Sequence, residues 1–216
     1  MKKIVVLISG GGSNLQTILD NCQSGEINGR VYAVISNKPN AYGLTRAKNY
    51  GCDAITVDHS QFDSREAFDA KLKSVINQYQ PDLLVLAGFM RILTPEFVQS
   101  YLGKMINIHP SLLPKYTGLN THKRALEAGE RESGATVHFV TPELDGGPPI
   151  LQGIVPIQPT DVELDLAKRV LATEHVIYPR VVQWFCQDRL TFAEGKTVFD
   201  GKALQLPLSL DNTNDN

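Results

Sequence analysis

The sequence predicts an α/β fold, a twisted and mostly parallel sheet with helices on both faces. Three observations carry this. Short runs rich in Val, Ile and Leu alternate with longer amphipathic stretches through the first half of the chain. The run at 83–87 shows no polar alternation, as expected of a strand buried on both sides. Glycine, proline and small polar residues punctuate most junctions between these runs.

Taken in order, residues 4–8 read as the first strand and 15–22 as a helix closed by Gly25. A second strand is expected at 31–35, a helix at 41–49 stopping at Gly51, and a third strand at 54–57. Residues 66–79 have helical spacing of apolar positions, with Asp63 or Ser64 as N-cap and Pro81 as the stop. The strand at 83–87 follows, and Thr94-Pro95-Glu96 then starts a helix with proline at its first position. Further strands are expected at 104–108, 136–140 and 150–157. Thr160-Asp161-Val162-Glu163 reads as a capping box opening a long helix to about Phe185. Small strands should surround Glu194-Gly195-Lys196 and Asp200-Gly201-Lys202.

The β-α-β-α-β-α-β order with right-handed crossovers restricts the topology to a Rossmann-like arrangement. Ligands on such sheets bind outside the carboxyl ends of the strands, which puts residues 9–14, 88–93 and 107–111 on one rim. Residues 1–210 read as a single domain, and the polar stretch 211–216 as a disordered tail.

With 216 residues, 42% of them apolar, the chain has material for one sizeable core. A net charge of -2 gives no electrostatic case for nucleic acid or an acidic membrane surface. The apolar run near the start is too short for a signal peptide or a span and reads as a first buried strand; a cytoplasmic protein with small-molecule substrates is expected, as monomer or homodimer. Cys22, Cys52 and Cys186 are widely spaced and read as reduced and structural. No histidine pair has the spacing of a zinc site, and no metal is expected.

Chemistry concentrates in Asn107-Ile108-His109-Pro110-Ser111-Leu112-Leu113-Pro114 and in Leu144-Asp145-Gly146-Gly147-Pro148. Asn107 and His109 share one face of a strand. An amide donor, an imidazole and a carboxylate are what an acyl-transfer site needs: one group to bind an oxyanion, one to manage a proton, one to orient the second. Asp145 on its own also fits a simple Asp-Gly turn, and spacing does not pair it with His109. Ser9-Gly10-Gly11-Gly12-Ser13-Asn14 suits either a phosphate at a helix N-terminus or a tight turn with Ser13 as N-cap. It matches neither dinucleotide nor Walker patterns, and no acidic residue closes the second strand, which disfavours a nicotinamide cofactor. His138 alternates with apolar residues and fits a structural or a site-lining role equally. His122 reads as a loop stabiliser near a helix start, and His59 and His175 as surface or packing residues. Glu174, beside His175, reads as part of a solvated helix face.

Four segments in this order resemble the phosphoribosylglycinamide formyltransferase family: 9–16, 86–93, 107–114 and 144–148. The resemblance runs from about residue 3 to residue 190. It implies the formyltransferase variant of the Rossmann-like fold, and transfer of a formyl group from 10-formyltetrahydrofolate, as cosubstrate, to glycinamide ribonucleotide. It implies Asn107, His109 and Asp145 as the catalytic trio. Gly12, Ser13 and Asn14 would hold the substrate phosphate. Leu171, Ala172, Thr173 and Glu174 would contact the ribonucleotide, with Glu174 on the ribose, in place of the solvated face. Met90, Arg91, Ile92 and Leu93, with Thr141, Pro142, Glu143 and Leu144, and with Asn107 and Asp145 themselves, would line the folate pocket, Arg65 lying near its benzoylglutamate end. Thr117 and Asn120 stand where the family usually has Pro and His, which bears on the stiffness of that loop, and Gly11 where Asn is common. Methionyl-tRNA formyltransferase, which carries a further tRNA-binding domain, is the less favoured relative. Formyltetrahydrofolate deformylase and a non-catalytic nucleotide-binding module are the alternatives of function.

Overall fold

The computed structural model describes residues 1–210, so the tail expected at 211–216 lies outside the described residues. In chain order the elements are β1 (Lys2–Ile8), α1 (Ser13–Ser24), β2 (Gly29–Ser36), α2 (Gly43–Asn49), β3 (Asp53–Thr56), α3 (Arg65–Asn77), β4 (Leu83–Leu86), α4 (Pro95–Ser100) and β5 (Met105–His109). They continue as α5 (Thr121–Glu127), β6 (Glu132–Phe139), β7 (Pro149–Pro156), α6 (Glu163–Cys186), β8 (Leu190–Ala193), β9 (Lys196–Phe199), β10 (Lys202–Ala203) and β11 (Leu208–Ser209).

In β1, Ile4, Val6 and Ile8 bury on one face while Val5 and Leu7 bury on the other. A strand apolar on both sides needs cover on both, and the chain supplies it. Leu15, Ile18 and Leu19 of α1, Leu44 and Ala47 of α2 and Leu166, Val170, Ile177 and Val181 of α6 join the first cluster. Phe68, Leu72, Val75 and Ile76 of α3 and Phe97 and Val98 of α4 join the second. The predicted layering is therefore the observed one.

The main sheet runs β11-β7-β6-β5-β4-β1-β2-β3. From β3 to β5 every pairing is parallel, whereas β6 pairs antiparallel with both β5 and β7. The carboxyl ends of β1, β4 and β5 lie side by side, as the strand order required. Tyr178 in α6 donates its buried hydroxyl to the carbonyl oxygens of Leu86 (2.7 Å) and Ile106 (3.3 Å), tying the longest helix to β4 and β5.

The expected capping box at Thr160–Glu163 is not the start of α6. Val162 holds the N-cap position, and its N–H donates to the Asp165 carboxylate at 3.4 Å. The Asp161 carboxylate is taken instead by Arg169, at 2.8 and 2.9 Å, which holds its pKa down at about 2. The helix start expected near His122 is that of α5, the short β11 was not anticipated, and β5 extends one residue further, to His109 itself. Gly12, in the left-handed region at φ 72°, rather than Ser13, precedes α1.

Candidate active site

Asn107 and His109 sit at the carboxyl end of β5, opposite His138 and Thr136 of β6. The His109 side chain is 7% exposed, and each ring nitrogen meets a fixed neighbour. Nε2 lies 2.9 Å from the Tyr116 carbonyl oxygen, which only accepts, so this nitrogen carries a proton. Nδ1 lies 3.5 Å from Asp145 Oδ2, an ion-pair distance rather than a formed hydrogen bond. The same carboxylate oxygen accepts from the Gly118 N–H at 2.8 Å. The trio expected from the sequence is thus brought together, and the loop after Pro114 closes over it from backbone groups.

Asp145 reaches this place because its own loop folds back tightly. Its φ is 51°, in the left-handed region, and Gly146 N–H turns back to the Glu143 carbonyl at 3.1 Å. Gly147 presses its backbone on the end of β6: a Cβ there would lie 1.8 Å from the Phe139 carbonyl oxygen. We expect Gly147→Ala to lower stability by about 1–3 kcal/mol, the range for forced overpacking. A denaturant titration with an unchanged midpoint would contradict this.

The loop bearing Thr117 and Asn120 is not slack. Arg124 donates to the carbonyl oxygens of Thr117 (2.6 Å) and Leu119 (3.4 Å) and stacks over the Tyr116 ring. Asn120 adopts φ 56°, which asparagine tolerates better than most residues, and precedes α5. His122, as anticipated, lies in the first turn of that helix, and burial holds its pKa below the usual histidine value.

On the β1 side, the glycine loop is exposed at Gly10 and Gly11. The Gly11 carbonyl accepts from Arg46 Nε at 2.8 Å. A Cβ on Gly12 would meet Gly43 Cα at 2.9 Å, so only glycine lets α1 and α2 approach here. Asn14 Nδ2 donates to Glu174 Oε2 at 2.7 Å across α1 and α6, and Asn14 Oδ1 is buried without a protein partner. Burial raises the Glu174 pKa, partly offset by that hydrogen bond. Glu174 is therefore buried, not on a solvated face. Leu171 and Ala172 stand exposed a turn earlier on α6, and the Thr173 methyl packs against Gly153 of β7.

On the β4 side, Met90, Ile92 and Leu144 are apolar side chains more than half exposed. Leu93 packs into the second core cluster, while Pro142 and Glu143 are exposed and Thr141 half-buried. Arg91 lies over the Phe68 ring at 4.8 Å, and Arg65, at the start of α3, is half exposed beside Glu66.

Three contacts escaped the sequence reading. Ser9 donates to Asn37 Oδ1 (2.6 Å) and accepts from Met90 N–H (2.7 Å), joining the two loops. Buried Asp69 accepts from Thr94 N–H at 2.6 Å, and burial raises its pKa against the pull of that bond and of Arg65 and Arg91. The Tyr116 carbonyl is the third. None leaves a local signal, since each partner is remote in sequence or is backbone. No group of three or more His, Cys, Asp or Glu able to hold a metal ion occurs among the described residues, and no helix there is long and apolar enough to cross a membrane.

A Rossmann-like sheet that carries an amide, an imidazole and a carboxylate at one strand end defines a class, and comparison agrees: the chain belongs to the formyl transferase family, whose model matches residues 2–182. Within that family its relatives include phosphoribosylglycinamide formyltransferases. The Escherichia coli K12 enzyme of that name is 56% identical over 201 residues, 93% of this chain and 95% of that one. The solved structure of the Coxiella burnetii phosphoribosylglycinamide formyltransferase superposes with a TM-score of 0.91 at 50% identity, covering 96% of this chain and 99% of that chain. The trifunctional purine biosynthetic protein of Drosophila melanogaster is 48% identical over 183 residues, 84% of this chain but 14% of the longer protein.

Proposed function

We propose that residues 1–210 act as one formyltransferase domain, in the cytoplasm, that moves the formyl group of 10-formyltetrahydrofolate to the amino group of glycinamide ribonucleotide. The products are formylglycinamide ribonucleotide and tetrahydrofolate, a step of de novo purine biosynthesis. The observation that carries this reading is His109 set between Asp145 and the Tyr116 carbonyl, beside Asn107 on the same strand end.

Gly12, Ser13 and Asn14 receive the phosphate at the start of α1, where free N–H groups and the helix dipole favour an anion. Buried Glu174 accepts from ribose hydroxyls, with Leu171, Ala172 and Thr173 on the same helix segment. The pterin sits against Met90, Arg91, Ile92 and Leu93 and the 141–145 loop, with Arg65 toward the acidic end of the folate. The amine nitrogen attacks the formyl carbon, and the carbonyl becomes a tetrahedral oxyanion. Asn107 donates an amide N–H to it, and protonated His109 donates through Nδ1, because Nε2 is committed to Tyr116. Asp145 offsets the imidazolium charge and holds, through a water, the proton passing from the amine to N10 as the C–N10 bond breaks.

The test is tetrahydrofolate release from 10-formyltetrahydrofolate, measured with and without glycinamide ribonucleotide. Release only with the ribonucleotide, in step with formylated product, is expected. Equal release without it would mean a deformylase, and no release under either condition a non-catalytic binding module.

A further inference from the structure

An asparagine amide is nearly symmetric in shape but opposite in charge at its two ends. Turned half a revolution, Asn107 would present a carbonyl oxygen to the oxyanion instead of an N–H. Something has to select the donor. The cross-strand partner of Asn107 is His138, whose Nε2 lies 3.3 Å from Asn107 Nδ2. The other ring nitrogen of His138, Nδ1, is 2.9 Å from the Phe139 carbonyl oxygen. A carbonyl only accepts, so Nδ1 carries the proton. His138 is 2% exposed, and burial pulls its pKa down to about 4, so the ring is neutral near pH 7. Its Nε2 is then a bare acceptor, and only the N–H end of Asn107 can face it.

We propose that His138 is a positioning residue: held as the Nδ1–H tautomer by the Phe139 carbonyl, it locks the Asn107 amide so that its second N–H is left for the formyl oxygen. A flipped amide would set oxygen against the Nε2 lone pair and leave both unsatisfied. The β6–β7 register shifts between Val137 and His138, an irregularity of the kind that re-aims a side chain. The histidine thereby sets Asn107 without touching the substrate. This rests on the formyl-transfer reading above.

Two substitutions separate the lock from simple packing. In His138→Asn the amide occupies the place of Nδ1, keeping the Phe139 bond and removing the acceptor for Asn107. In His138→Gln an oxygen is placed where Nε2 was. With both substrates in the full chain, His138→Asn should lower kcat about 10–100-fold, short of the ~10²–10³ for outright loss of an oxyanion donor, with KM for both substrates little changed. His138→Gln should restore most of the loss. In an Asn107→Ala background, His138→Asn should cost nothing further, since the group it orients is gone. An equal loss in both backgrounds, or full kcat in His138→Asn, would overturn the lock while wild-type formylation still upheld the reaction. Full turnover by Asn107→Ala would overturn the lock and the catalytic assignment of Asn107 together.

Discussion

An Asp145→Asn enzyme should turn over ~10²–10⁴-fold more slowly than the wild type, the range for loss of a positioned proton-handling group. The substitution is informative because it keeps almost everything else. The asparagine oxygen can still accept from Gly118 N–H, the contact at 2.8 Å that ties the overlying loop to the site. What disappears is the negative charge 3.5 Å from His109 Nδ1 and the carboxylate's capacity to take a proton. The signature is therefore a fall in kcat with KM for the ribonucleotide held, together with an altered pH–rate profile. An unchanged profile would remove Asp145 from the proton path.

His109→Ala should lower kcat by at least the ~10²–10³ typical of losing one oxyanion donor. Its imidazole is enclosed on both sides, so the loss is of a group already oriented before substrate arrives. The vacated volume is next to the Tyr116 carbonyl, which is left without its 2.9 Å donor. Stability should fall as well, and thermal unfolding separates that from the catalytic loss. A variant that melts early but formylates at nearly the wild-type rate would place His109 in the scaffold alone.

The parallel half of the sheet was legible because its strands are buried on both faces. Ile4 to Ile8 and Leu83 to Leu86 admit few other readings when glycine and proline bound them. The rim followed from strand order. The start of α6 was misread because the pair that closes it is Val162 with Asp165 rather than Thr160 with Glu163. The spacing of Asn107 and His109 announced a shared strand face. The approach of Asp145 did not follow from spacing, because it depends on a left-handed residue and on Gly147 pressed against β6. The roles of Tyr116 and Gly118 were invisible for a simpler reason: a backbone carbonyl or N–H has no identity in a sequence. Glu174 shows the converse, since its helical neighbours suggested solvent while its buried carboxylate is met by Asn14, 160 positions away.

Ser9 ties the loop after β1 to the loop after β4 through one oxygen. Its hydroxyl stands at the end of β1, accepting from Met90 in the loop after β4 while its own backbone leads directly into the glycine loop. A shift of either loop changes the geometry of that single oxygen. Thermodynamic reciprocity then applies: whatever factor a bound ribonucleotide imposes on folate affinity, bound folate imposes equally on the ribonucleotide. One hydroxyl is thus the point at which any such coupling between the two loops would be carried.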